Sequence, residues 1–171
     1  MCLFGNRWSR SGFSLTELLV AVAAMGIIMA ALAPFLSNFL RHVNSGSVYG
    51  MILQEGRWAI DFMDRDISYA SAGTVNKSVA TGVSSNVVSY SLPGATDVIS
   101  FSIVSGEVCR QSTASSPWRP LTDAGRANVS SLSFVRNFDR SVSVTLVLTA
   151  TDRFGRSHSR EFKSFVYPMS L

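Results

Sequence analysis

The stretch Gly12-Phe13-Ser14-Leu15-Thr16-Glu17-Leu18-Leu19-Val20-Ala21 sets the reading of the whole chain. Arg7 and Arg10 precede it, and an uncharged apolar run from Leu18 to Leu36 follows. Ser37, Asn38, Phe39 and Leu40 extend the run, and Arg41-His42 closes it. A helix over 13–40 would be about 42 Å long at 1.5 Å per residue. The run from Leu18 to Leu36 alone covers about 28 Å, close to the ~30 Å hydrocarbon core of a bilayer. The basic residues ahead of it predict a cytoplasmic N-terminus, with the C-terminal part outside.

A conventional secretory signal has a shorter apolar core followed by a small-residue cleavage site. Ala21-Val22-Ala23 and Ala31-Leu32-Ala33 have the Ala-x-Ala form. The apolar run continues past the first, and Pro34 directly follows the second, so neither fits that pattern.

The segment from Gly12 to Ala21 resembles the prepilin processing motif of type IV pilins and type II secretion pseudopilins. The resemblance implies cleavage between Gly12 and Phe13 by a prepilin peptidase, which then methylates the new Phe13 amino group. It implies a filament role for Glu17, whose carboxylate would pair with the Phe13 amino group of a neighbouring subunit. Physics gives a reason for such a partner, because a carboxylate at the edge of an apolar helix is costly in lipid when unpaired. Glu17 also fits a local reading, since Ser14-x-x-Glu17 has the form of a helix-capping box. Small residues such as Ala21, Ala23, Ala24, Gly26 and Ala30 permit close helix–helix approach in lipid. Pro34 removes a helix hydrogen bond and is the expected kink.

Composition splits in the same place. The 171 residues are 47% hydrophobic and only 15% charged, with net charge +4 from 15 basic and 11 acidic side chains. Without Arg7 and Arg10 the count is 13 against 11, or +2. So small a balance argues against nucleic acid as the main partner. Of the two cysteines, Cys2 and Cys109, only Cys109 lies beyond the expected leader, so a mature chain would hold no internal disulfide or cysteine zinc site.

Past Asn44-Ser45-Gly46-Ser47, which breaks the apolar pattern and is expected to bend the helix, Val48, Ile52, Ala59, Phe62, Met63, Ile67 and Ala70 recur at helical spacing. They predict an amphipathic helix over about 47–71. Its polar face carries Asp61, Asp64, Arg65 and Asp66, and Asp61 and Arg65 have the i,i+4 spacing of an ion pair. The aspartate cluster lacks a further ligand, so no metal site is expected. Residues 73–86 read as loop. Alternating or β-branched runs then predict strands at 87–92, 97–104, 107–111, 129–137, 142–151 and 158–167. Ser105-Gly106 and Asp152-Arg153-Phe154-Gly155 read as hairpin turns, and Pro117, Pro120 and Gly125 mark a loop.

The expected fold class is α+β and pilin-like: a long N-terminal helix, transmembrane then amphipathic, on a mainly antiparallel β head. The expected division is a leader at 1–12, a membrane and filament-core helix at 13–40, an amphipathic segment at 41–72 and a β-rich periplasmic head at 73–171. Gln54-Glu55-Gly56-Arg57-Trp58-Ala59-Ile60, Asp64-Arg65-Asp66-Ile67, Val108-Cys109-Arg110 and Pro120-Leu121-Thr122-Asp123 resemble, in order, the minor pilin W and pseudopilin J group. That implies a low-abundance subunit in the inner membrane that primes or caps a filament. Its implied partners are other minor pilins or pseudopilins, a major pilin, a platform membrane protein and an assembly ATPase, with lipid before assembly.

No phosphate-cradling loop, zinc spacing or nucleophile motif is present. His42 and His158 have no nucleophile or carboxylate at motif spacing and read as surface residues. No cofactor and no enzyme activity are expected. Two other readings compete. One is a filament-tip module for adhesion or DNA uptake that uses Arg136, Arg140, Arg153, Arg156 and Arg160 on one face. The other is a signal-anchored periplasmic domain with a deep catalytic pocket.

Overall fold

A computed structural model describes residues 14–71, 73–75 and 80–169. A single α-helix of 54 residues, α1 (Leu15–Ser68), opens the structure. Eight strands follow: β1 (Ser84–Ser85), β2 (Val88–Ser91), β3 (Val98–Val104), β4 (Glu107–Gln111), β5 (Arg119–Pro120), β6 (Asn128–Arg136), β7 (Val142–Thr151) and β8 (Ser157–Val166). They form two antiparallel sheets, ordered β1-β6-β7-β8 and β2-β3-β4-β5. The architecture is therefore the expected α+β, pilin-like one.

The chain divides into two compact units, Met1–His42 and Val43–Leu171. The described residues of the first unit are Ser14 and the helix that follows it, and every side chain there is exposed. The second unit holds every buried side chain among the described residues, from Val48 to Val166. On α1 the buried positions are Val48, Ile52, Gly56, Ala59, Ile60, Met63 and Ile67. This spacing of three and four makes one apolar stripe. It meets Phe134, Val144, Leu146 and Leu148 of the first sheet and Val88, Tyr90, Phe101 and Val108 of the second in one core.

Ser84 and Ser85, within the stretch 73–86 expected as loop, form the short strand β1 against β6. The helix continues through Asn44–Ser47, where the apolar pattern breaks. Ser47 Oγ donates to the Asn44 carbonyl at 2.8 Å, a local bond that helices tolerate. The loop containing Pro120 holds a two-residue strand, β5, with Pro120 opposite Cys109 on the sheet edge, where a missing N–H costs least. The Ser105-Gly106 turn is as expected. Both residues have positive φ, 53° and 82°, as a two-residue type I′ hairpin requires.

β8 and the second half of α1 run side by side in the same direction. Ser45 contacts the turn that leads into β8, Gly56 faces Phe162, and Asp64 accepts a hydrogen bond from Ser164. At the far end the Met169 amide donates to the Ser68 carbonyl at 3.1 Å. The chain after β8 is thus tied back to the end of the helix.

Candidate functional site

Gly12 and Phe13, the expected cleavage junction, lie outside the described residues. The structure begins at Ser14, which caps the helix. Its Oγ accepts from the Glu17 amide at 3.3 Å, and its carbonyl accepts from the Glu17 and Leu18 amides at 3.1 and 3.2 Å. The serine half of the capping box is therefore formed. Glu17 stands in the first turn, where the positive end of the helix dipole favours a carboxylate, and its side chain is exposed.

From Leu18 to Leu40 the apolar residues are not buried by any of the described residues of their unit; Ile27, for example, is 73% exposed. The helix is long and apolar enough to cross a membrane, and none of its most apolar window is buried. Gly26 and Pro34 both lie inside the unbroken helix. An exposed apolar surface of this extent implies lipid or other apolar helices around it.

Residues 9–33 match the family model described as the prokaryotic N-terminal methylation motif. The chain carries a type IV prepilin-like leader. The match spans the expected cleavage junction, Glu17 and most of the apolar run. No curated protein and no solved structure matches the chain. A prepilin-like leader implies processing by prepilin peptidase and assembly with other pilins, and with the apolar helix it is consistent with membrane anchoring. It points to a structural subunit.

The second unit places the remaining candidate residues. The three aspartates of α1 go to different partners. Asp66 accepts from Tyr90 Oη at 2.9 Å and from Arg110 Nε at 2.6 Å, which joins helix, β2 and β4. Burial, with the Asp66 carboxylate beside it, pushes the Tyr90 phenol well above its usual range. Asp64 Oδ2 accepts from Ser164, while its Oδ1 is buried with no hydrogen-bond partner among the described residues. Burial raises the Asp64 pKa, the Ser164 hydrogen bond opposes this, and Asp61 adds to it. Among the described residues Asp61 and Arg65 make no ion pair; the Arg65 guanidinium instead lies 5.4 Å from the centre of the Phe62 ring. No three His, Cys, Asp or Glu residues among those described are grouped to share a metal ion.

His158 departs from the expected surface role. It is half-buried, with Nε2 3.4 Å from Asp152 Oδ2. The hairpin between β7 and β8 brings together residues that have no motif spacing in sequence. Cys109 is buried on β4, and burial raises its thiol pKa.

The late arginines are spread along the first sheet, with Arg160 on β8 opposite Leu148. Arg136 and Arg140 lie at the β6–β7 turn, and Arg153 and Arg156 lie at the β7–β8 turn. The ten residues of β7 between them span about 33 Å.

Proposed function

We propose that this chain is the precursor of a minor pilin or pseudopilin, a subunit that primes or caps a type IV pilus or type II secretion pseudopilus. In this reading the peptidase cuts between Gly12 and Phe13 and methylates Phe13. The apolar helix waits in the inner membrane, N-terminus inside and β-rich unit outside, and then passes into the filament core. The observation that carries it is the methylation motif over residues 9–33, overlapping a helix whose apolar residues are exposed among the described residues of its unit.

Glu17 follows from the same physics. It is the one charged side chain between Ser14 and Leu40. A carboxylate at the edge of the bilayer gains most from a cation, and a neighbouring Phe13 amino group would supply one while setting axial register. Pro34 would allow the helix to bend as it leaves the lipid. The division at 1–12, 13–40, 41–72 and 73–171 follows the same steps: leader, membrane helix, amphipathic helix and head. Arg136 and Arg140 lie at the opposite end of β7 from Arg153 and Arg156, and that spread favours this subunit role over a single basic binding face.

The test is Glu17→Ala in cells that assemble the filament. The variant should be cleaved normally and be lost from purified filaments or from cross-linked complexes with other pilins. Normal incorporation of the variant would contradict the reading.

A further inference from the structure

The turn between β6 and β7 holds a phenylalanine out into solvent. Phe138 is 91% exposed, more than any other large apolar side chain among the described residues. The turn around it is firmly built. The Asn137 amide donates to the Ser141 carbonyl at 2.8 Å, and Asn137 Nδ2 donates to Ser141 Oγ and Ser143 Oγ, each at 2.8 Å. Asp139 Oδ1 accepts from the Ser141 amide at 3.0 Å and from Ser141 Oγ at 2.7 Å, and its Oδ2 accepts from Tyr167 Oη at 3.3 Å. Arg140 takes the positive φ, 67°, that closes the turn. An apolar ring on a turn that is already ordered loses little conformational entropy on binding.

The same compact unit, Val43–Leu171, carries a groove of matching kind. It lies on α1, has a volume of about 450 Å³, and is lined by Gly50, Leu53, Gln54, Arg57, Trp58 and Asp61. Gly50 leaves it open, because a Cβ there would meet nothing within 4 Å. Trp58 is 58% exposed, and Phe62 holds it from one side with ring centres 6.2 Å apart. Its free surface can take a second ring in the offset or edge-on geometry that aromatic pairs prefer.

Charge matches as well as shape. Phe138 is followed by Asp139 and Arg140, both exposed, with the half-buried Arg136 before it. The groove holds Arg57 and Asp61, also exposed and four residues apart. Neither Arg140 nor Asp61 has an ion-pair partner among the described residues. On the other side of Trp58, Glu55 and Asp123 both pair with Arg126. Asp61 is therefore the carboxylate at Trp58 that is left for a cation.

The ring cannot reach the groove of its own chain. The β6–β7 turn lies at the Val166 end of β8, close to where the Met169 amide bonds to Ser68. The middle of the groove comes about 20 Å earlier along the helix. We propose that two copies of this chain associate through this pair of surfaces. Phe138 of one copy seats on Trp58 of the other over Gly50, with Arg140 set against Asp61 and Asp139 against Arg57. The contact stands on the unit Val43–Leu171 alone and does not depend on insertion in a membrane or entry into a filament.

The test is sedimentation of the full chain in detergent over a range of concentrations. Phe138→Ala removes the ring and keeps the groove, whereas Gly50→Leu fills the groove and keeps the ring. Each variant alone should self-associate at least about 30-fold more weakly, the loss expected for a buried aromatic anchor. Mixed one to one, the two should associate again, because the ring of the Gly50→Leu chain still fits the groove of the Phe138→Ala chain. Arg140→Glu should also weaken association, and Asp61→Arg in the same chain should restore it. Association through the apolar helix alone would survive both single substitutions. That outcome, a mixture that stays dissociated, or a native chain that is monomeric throughout would each overturn the proposal.

Discussion

The ring of Phe162 on β8 fills the space that a side chain at position 56 of α1 would occupy. Gly56 is buried there, and the helix reaches β8 at that point because it has no Cβ. Alanine would add helix propensity worth about 1 kcal/mol but would collide with the ring, and overpacking of this kind costs about 1–3 kcal/mol. Gly56→Ala should therefore lower the stability of the full chain in detergent-based urea unfolding. In a Phe162→Ala background the same substitution should be neutral or stabilising. Destabilisation in both backgrounds would refute the contact.

Asp66, Tyr90 and Arg110 join the helix to the second sheet. The side chains of Arg110 and Asp66 are 26% and 23% exposed, so the pair is only partly screened from solvent. Hydrogen bonds to charged groups contribute about 1.5–3 kcal/mol, and partial exposure puts Asp66→Asn at the lower end. Tyr90→Phe should cost about 1 kcal/mol. Because the two share one carboxylate, the double variant should lose less than the sum. Additive losses in a double-mutant cycle would show that the network does not act as one.

Asp152 and Asp64 should move stability with pH in opposite directions. Hydrogen bonds from the Arg156 amide, then the Phe154 amide, His158 and Ser45, hold Asp152 below the ordinary 3.8. Its folded pKa is depressed, so its contribution is present above the unfolded value and is lost as pH falls through the folded one. Burial raises Asp64 above 3.8. Its contribution is present below the unfolded value and is lost as pH rises through the folded one. At neutral pH, Asp152→Asn should lower the unfolding midpoint and Asp64→Asn should raise it. The Asp64→Asn gain should vanish in acid. A gain that persists there would mean that burial of the charge is not its cause.

Much of this was legible in the sequence, for identifiable reasons. β3 and β7 alternate apolar and polar residues, as in Val98-Ile99-Ser100-Phe101 and Val142-Ser143-Val144-Thr145, and each forms where that alternation predicts. β1 is two serines and β5 is Arg119-Pro120, and such short pairs carry no periodicity. Asn44–Ser47 interrupts the apolar pattern because each residue is polar or glycine and a weak helix former. A strong helix on both sides and the Ser45 bond to Asp152 carry α1 through it. Gly56 could be quoted within its segment, but its need for the Phe162 ring depends on a residue 106 positions away. Pairs such as Asp66–Arg110 and Asp152–His158 exist only once the strands are folded. At the candidate site, the spacing of glycine, aromatic, glutamate and apolar run was readable because it is local, and Ser14 caps the helix as that spacing predicts.

The most direct test of the central claim is the intact mass and N-terminal residue of the protein isolated from its native membrane. The account predicts loss of residues 1–12 and a chain that begins with N-methylated Phe13. A chain that still begins at Met1, in cells where the prepilin peptidase is active, would contradict it.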